Sequence, residues 1–294
     1  MFSNYIPLRW NRKTALAAAL ALTLLALYPC LFNGFTNWDD GNYLLDNPQV
    51  RNFTPGGLAA IFTSLHSGLY KPLVFVSFAL EYHFFGFNPF VYHGVNLLFH
   101  LASCALVFLL VERLAFGTWA AFAVALVFGV HPMHVESVAW VSERKDMLYA
   151  FFFLLSLLLY LRYRRDACRP AYWCAVGAYL LSLLAKPFGV ALPILLFLVD
   201  WYENRSRDRA FWLDKLPFLF LALVFAGFAV FSVKQSGVLF DGDSFGPLDK
   251  LQLLSYSLLF YAGKFFWPAG LSVIYPYPAR NAAGAFPSVY AFSP

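Results

Sequence analysis

The sequence predicts an all-α polytopic membrane protein with about eight transmembrane helices. Of its 294 residues, 61% are hydrophobic, 20% are aromatic and only 13% are charged. Apolar runs recur along the chain at roughly the length a helix needs, about 20 residues for about 30 Å of hydrocarbon. The charges fall in short clusters between those runs, as membrane anchors do. The formal charge of +5 sits in these clusters, so no nucleic-acid partner is expected. Cys30, Cys104, Cys168 and Cys174 show no framework spacing. Three lie in or beside apolar runs and one in a basic loop, so no structural disulfide is expected.

The predicted spans are residues 15–32, 90–111, 119–135, 147–162, 172–185, 188–201, 216–233 and 251–267. The first follows Arg9, Arg12 and Lys13. It is long for a signal-peptide core and has no small-residue cleavage site after it, so it reads as a retained helix. The fifth and sixth are short and separated only by Lys186-Pro187. They read as a broken pair with a tight turn, or one of them as re-entrant.

With the N-terminus inside, one side holds Arg9, Arg12, Lys13, Arg113, Arg162, Arg164, Arg165, Arg169, Arg205, Arg207, Arg209 and Lys215. The other holds Arg51, Lys71, Arg144, Lys145, Lys186, Lys234 and Lys250. The excess on the first side marks it as cytoplasmic. The chain then reads as one multi-pass domain over 1–294, with an extracytoplasmic loop at 33–88. In that loop Asp46-Asn47-Pro48 and Thr54-Pro55-Gly56-Gly57 are turn signals. The apolar stretches 58–65 and 73–85 are too short to span comfortably and read as interfacial helices. The Pro/Tyr-rich tail, 268–294, includes Tyr275-Pro276-Tyr277-Pro278 and reads as cut off rather than finished.

Four polar constellations stand out against this apolar background. Asp39 and Asp40 follow the first span, in Asn37-Trp38-Asp39-Asp40-Gly41. One carboxylate could take a proton from a hydroxyl while the other orients the acceptor or binds a cation. Asp-Gly is equally turn chemistry. His131, His134 and Glu136 close the third span. A divalent metal could sit on them, but Pro132 disturbs regular helix there, and hydrogen bonding to substrate is favoured over metal ligation or a mere helix end. Glu143-Arg144-Lys145-Asp146 opens the fourth span, with two cations on the side that usually lacks them and at a helix N-terminus that disfavours them. A bound phosphate resolves both oddities; local neutralisation by Glu143 and Asp146 is the alternative. His93, Asn96 and His100 fall within about 60° of one another around the second span. They form a polar stripe suited to a pocket or to interhelical hydrogen bonds. Lys186 is a further candidate for an anionic group, or a snorkelling anchor.

These residues also carry a family resemblance. Asn37-Trp38-Asp39-Asp40, Tyr70-Lys71-Pro72-Leu73, Asn88-Pro89-Phe90-Val91-Tyr92-His93-Gly94-Val95-Asn96 with His100, His131-Pro132-Met133-His134-Val135-Glu136 with Glu143-Arg144-Lys145-Asp146, Ala185-Lys186-Pro187 and Phe266-Trp267-Pro268 occur in order. Together they resemble the membrane domain of the transmembrane and tetratricopeptide-repeat O-mannosyltransferases and their bacterial relatives. The resemblance implies a GT-C-like helical bundle and a glycosyltransferase. Such an enzyme moves a sugar from a polyprenyl- or dolichyl-phosphate donor to a protein or glycan hydroxyl outside the cytoplasm. It implies Asp39 or Asp40 as base or acceptor ligand.

Donor phosphate is then expected at Arg144, Lys145 and Lys186, with His131, His134, Glu136, His93, Asn96 and His100 lining the substrate pocket. The sequence assigns no cofactor, and a divalent metal could serve. The partners are a lipid-linked sugar, an acceptor and membrane lipid. The location is a bacterial inner membrane, or the endoplasmic reticulum in a eukaryote. Family members usually continue into more spans and then repeats, which this sequence does not contain. Two other classes compete: a non-catalytic anchor for a repeat domain, which would tolerate loss of Asp39 and Asp40, and a lipid or glycolipid transporter, which would place charges nearer mid-bilayer.

Overall fold

The computed structural model describes residues 11–66, 68–235, 246–275 and 286. The chain divides into two units, at residue 236. In the first, α1 (Arg12–Leu27) starts where the Asn11 side chain accepts from the Lys13 N–H, then runs into a 3-10 turn at Tyr28–Phe32. The loop that follows contains a π-helical turn at Gly41–Leu45, α2 (Pro55–Thr63) and α3 (Pro72–Phe85). Thr54 caps α2 by accepting from the Gly57 N–H. Helix α4 (Pro89–Arg113) is capped by Asn88, with proline in its first turn where no N–H is missed.

Helix α5 (Gly117–Val130) ends at His131. Pro132 cannot donate to the ladder, so the chain bends by 50° through a 3-10 turn into α6 (Val135–Ala139). Then come α7 (Arg144–Asp166), α8 (Arg169–Ala185), a 3-10 turn at Pro187–Ala191, α9 (Leu192–Tyr202), α10 (Arg209–Leu213) and α11 (Leu216–Gln235). The second unit contains α12 (Pro247–Phe266). Most of the 268–294 tail lies outside the described residues. All four cysteines are free thiols.

Each of the eight expected segments is helical, and among the described residues fewer than eight are by themselves long and apolar enough to cross a membrane. Four stretches are long and apolar enough to span: Arg12–Phe32, Pro89–Arg113, Val141–Asp166 and Arg209–Lys234. The bent pair Gly117–Val130 and Pro132–Ala139 makes a fifth if it acts as one span. Helix α8 has 17 residues and Pro187–Tyr202 is shorter still, while α12 is long enough but not apolar enough. The stretches 58–65 and 73–85 correspond to the helices α2 and α3.

In the first unit, α4 packs among α1, α5 and α7, and α7 packs along α8. Helices α1 and α5 meet through small residues four apart on each: Ala15, Ala19 and Thr23 on one, Ala121, Ala125 and Gly129 on the other, all buried. Apolar side chains gain little by leaving lipid, so close backbone approach supplies the attraction. A Cβ on Gly129 would lie 2.1 Å from Thr23 Oγ1 and 3.1 Å from Thr23 Cβ. The sequence reading did not use this spacing.

Ion pairs show how the helices alternate in direction. Arg12 pairs with Glu112 at 2.6 Å, Arg113 with Asp166 at 3.0 Å and Arg165 with Glu203 at 2.6 Å. These tie the start of α1 to the ends of α4, α7 and α9. At the same end Asp200, fully buried, is held by Lys215, Arg205 and the Tyr160 hydroxyl. Most of the arginines collect there. The starts of α4 and α7 and the ends of α5 and α8 meet at the opposite end, with the loop from 33 to 88.

Replacing Gly129 by leucine should pry α1 from α5. A drop of several degrees in the melting temperature of purified protein is expected, with Gly94→Ala, whose nearest neighbour is 3.8 Å away, as the mild control. Equal melting of both variants would contradict the packing described.

Candidate functional site

The two adjacent aspartates divide into one bound and one open carboxylate. Asp40 is fully buried. Its Oδ2 accepts from the Thr36 N–H at 2.8 Å and the Thr36 hydroxyl at 3.0 Å. Its Oδ1 accepts from the Ser142 N–H at 3.0 Å and the Ser142 hydroxyl. Four donors therefore fix this side chain, and it ties the loop after the first span to the start of α7. Asp39, one residue away, is partly exposed and has no hydrogen bond or ion pair among the described residues. Trp38 packs edge-on against Trp140 with centroids 5.8 Å apart, a second link between the same segments.

The cations divide in the same way. Arg144 is fully buried. Its Nη1 donates to Glu81 and, at 3.2 Å, to Ser77; its Nη2 donates to Glu81 at 3.2 Å and to the Tyr92 carbonyl at 2.8 Å; its Nε donates to Asn96. No donor is left for a phosphate, so the geometry gives Arg144 a role inside the fold in place of the expected one. Lys145 pairs with Glu143 at 2.6 Å, and Lys186 pairs with Asp146. Both lysines are partly exposed. The local neutralisation weighed from the sequence is what these two pairs provide.

Lys71, at the start of α3, differs from all of these. Its side chain is 3% exposed and its Nζ has no hydrogen-bond partner. The ammonium lies 3.2 Å from the centroid of the Tyr43 ring and 5.7 Å from that of Phe75. Burial first, and then repulsion from Lys145 and Lys186, push its pKa down to about 7 against the pull of Asp39 and Glu143. Asp39, Glu143, Lys145 and Lys186 thus all act electrostatically on this one ammonium. Beside it, His66 Nε2 donates to the Asn42 carbonyl at 3.0 Å, and burial lowers its pKa. Lys71 was not among the sequence candidates. Its signal was a lysine ahead of proline in an otherwise apolar stretch, which reads as an anchor until its burial is known.

The histidines largely serve helix ends. Pro132 leaves the Phe128 carbonyl without its helical donor, and His134 Nδ1 bonds it at 2.7 Å. His100 Nε2 bonds the Gly129 carbonyl at 2.9 Å, and His131 Nδ1 accepts from the Met133 N–H at 3.2 Å. Asn96 spans α4 to the Val138 and Trp140 carbonyls, and His93 Nε2 lies 3.4 Å from the Gly34 carbonyl. Asn96 therefore ties α4 to α6, and His93 ties α4 to the loop after the first span. His100 and His134 do line a cavity of about 190 Å³, together with Asp146, Tyr149, Lys186 and Phe188. Glu136 is exposed and does not line it. Among the described residues no three His, Cys, Asp or Glu side chains converge as metal ligands.

A bundle of apolar helices with its arginines at one end and an open carboxylate among lysines at the other defines a multi-pass membrane protein with a polar site at one lip. Known proteins narrow this further. No protein-family model matches the chain. It is 33% identical to the protein O-mannosyl-transferase TMTC1 of Homo sapiens over 232 residues, which cover 68% of this chain and 26% of that protein. It is 33% identical to the protein O-mannosyl-transferase Tmtc2 of Drosophila melanogaster over 185 residues, 58% of this chain and 20% of that one. It is 35% identical to the protein O-mannosyl-transferase TMTC3 of Mus musculus over 140 residues, 44% and 15%. The resemblance read from the motifs therefore holds: this chain is a relative of the protein O-mannosyl-transferases named Tmtc and TMTC. It spans about a quarter or less of the length of these relatives.

Lys71 should cost the empty protein stability. An unfolded lysine takes its proton near 10.5 and this one only near 7. Between those values the unfolded chain binds more protons, so stability rises with pH through that window and the full cost applies below 7. Lys71→Met should raise the melting temperature of ligand-free protein more at pH 6 than at pH 9. An equal rise, or a fall at pH 6, would contradict the burial described.

Proposed function

We propose that this chain is the membrane domain of a glycosyltransferase. It transfers a sugar from a polyprenyl- or dolichyl-phosphate to a protein or glycan hydroxyl. The site is the lip opposite the arginine-rich end, facing away from the cytoplasm with the N-terminus inside. The observation that carries this reading is the partly exposed Asp39 carboxylate, which makes no hydrogen bond or ion pair among the described residues and acts electrostatically on Lys71, as Lys145 and Lys186 also do. Such a pairing suits inverting transfer. Asp39 takes the proton of the acceptor hydroxyl, the hydroxyl oxygen bonds to the sugar's anomeric carbon, and the bond from that carbon to phosphate oxygen breaks. The electron pair leaves with the lipid phosphate, whose charge the lysines balance. Mannose is the sugar that the names of the relatives support.

In this reading Asp40 positions Asp39 and the loop. Lys145 and Lys186 exchange part of their carboxylate contact for the donor, and His131, His134 and Glu136 shape the sugar or acceptor pocket. Arg144 holds the floor of the site. Helices α2 and α3 lie along the outer leaflet. Helix α8 with Pro187–Tyr202, and α12, complete the crossings toward eight. The membrane is a bacterial inner membrane, or the endoplasmic reticulum in a eukaryote.

Asp39→Asn should lower transfer from polyprenyl-phosphate mannose by about 10²–10⁴-fold while the protein still inserts and melts normally. Turnover at the parent rate in a reconstituted assay would remove Asp39 from the chemistry. Replacing both Lys145 and Lys186 by glutamine should raise the donor KM by more than it lowers kcat. A double variant with an unchanged donor KM would show that these lysines do not meet the donor.

A further inference from the structure

Among the described cations around Asp39, Lys71 alone is both buried and without a carboxylate. Arg144 is fully engaged by Glu81, Asn96, Ser77 and Tyr92, while Lys145 and Lys186 each carry an acid partner. A phosphate arriving at Lys145 or Lys186 must compete with Glu143 or Asp146. At Lys71 it displaces no carboxylate; what must part to admit it is the aromatic cover, since the Nζ is buried against the rings of Tyr43 and Phe75. Lys71 is also the N-terminal cap position of α3, a 14-residue helix, and so stands at the positive end of that helix.

We infer that Lys71 is the residue that receives the donor's phosphate, and that it completes its protonation together with that anion, so near neutral pH the empty site is only partly charged at this position and the loaded site is cationic. This deepens the reading of the site as one for a lipid-phosphate sugar, and rests on it. The groups facing Lys71 are Tyr43 from the π-helical turn, His66 from the loop before α3, Asp39, Glu143 and Lys145 from the start of α7, and Lys186 from the end of α8. Two of these cations repel a charge on Lys71 and two acids favour it. With burial dominating, the ammonium is held to a pKa of about 7.

A neighbouring anion reverses that balance by favouring the charged form. A sugar phosphodiester keeps a single negative charge throughout the neutral range, so any titration of its binding in that range belongs to the protein. The proton adds to Lys71 Nζ from solvent as the anion docks. It returns to solvent when the phosphate leaves, and no bond to the sugar is involved.

The test is equilibrium binding of polyprenyl-phosphate mannose to the purified full chain in nanodiscs from pH 6 to pH 9. Parent protein should bind almost equally at pH 6 and 6.5 and then weaken, to roughly tenfold to hundredfold by pH 9. Lys71→Met, with a melting curve showing it folded, should bind at least tenfold more weakly at pH 6 and show a flat profile. Lys71→Arg, whose guanidinium keeps its charge, should retain binding at pH 6 and lose the decline toward pH 9.

Parent-like affinity of Lys71→Met at pH 6, or a parent profile that is flat to pH 9, overturns the assignment to Lys71 while leaving the donor reading in place. Failure of the parent chain to bind this donor at any pH overturns both.

Discussion

The site end of the bundle depends on the buried guanidinium of Arg144. It sits where α7 begins and reaches Glu81 and Ser77 on α3, and Asn96 and the Tyr92 carbonyl on α4. A charge in this position is strongly unfavourable unless paired and hydrogen-bonded, and removing one partner of such a pair costs about 3–5 kcal/mol. Once those contacts exist, α3 cannot slide over α4 or α7. The loop that carries Asp39 inherits that constraint, because Asp40 is hydrogen-bonded to Ser142, two residues before Arg144.

This arrangement separates charges that hold the fold from charges that stay without a partner. Asp40, Glu81 and Arg144 are buried and mutually engaged or saturated by donors. Asp39 is left open by being one residue away from a pinned neighbour, since successive side chains point apart. Lys71 is left unpaired under an aromatic cover. A membrane protein gains no stability from an uncompensated buried ammonium; its presence beside an open carboxylate is better explained by something that arrives from outside the chain. The opposite end uses its charges differently, with Asp200, Lys215 and Arg205 closing on one another to join α9 and α11. A chain that merely anchors a repeat domain needs only that second kind of charge cluster.

The helices were legible in the sequence because apolar runs and their polar breaks are local signals. Residues 90–111 and 216–233 fall inside the spans Pro89–Arg113 and Arg209–Lys234, and Pro132 and Pro187 mark real breaks. Long-range pairing was not legible. Arg144 looked like a phosphate ligand because its partner Glu81 lies 63 residues earlier, inside an apolar stretch that gave no hint of facing it. His100 and His134 looked like pocket residues, and they do line a cavity, yet their hydrogen bonds close carbonyls that α5 leaves open. The contact of Gly129 with Thr23 depends on two helices about a hundred residues apart in the chain. Nothing in either segment alone reveals it.

The claim that Arg144 is an internal tie and not a ligand clamp is tested most directly by a thermodynamic cycle on unfolding of the purified chain. Its variants are Glu81→Leu, Arg144→Met and the two together. Each single change should destabilise by about 3–5 kcal/mol, and the double variant should lose far less than their sum, because neither charge is then left buried alone. Strictly additive losses would contradict the account and return Arg144 to the list of groups free to meet a substrate.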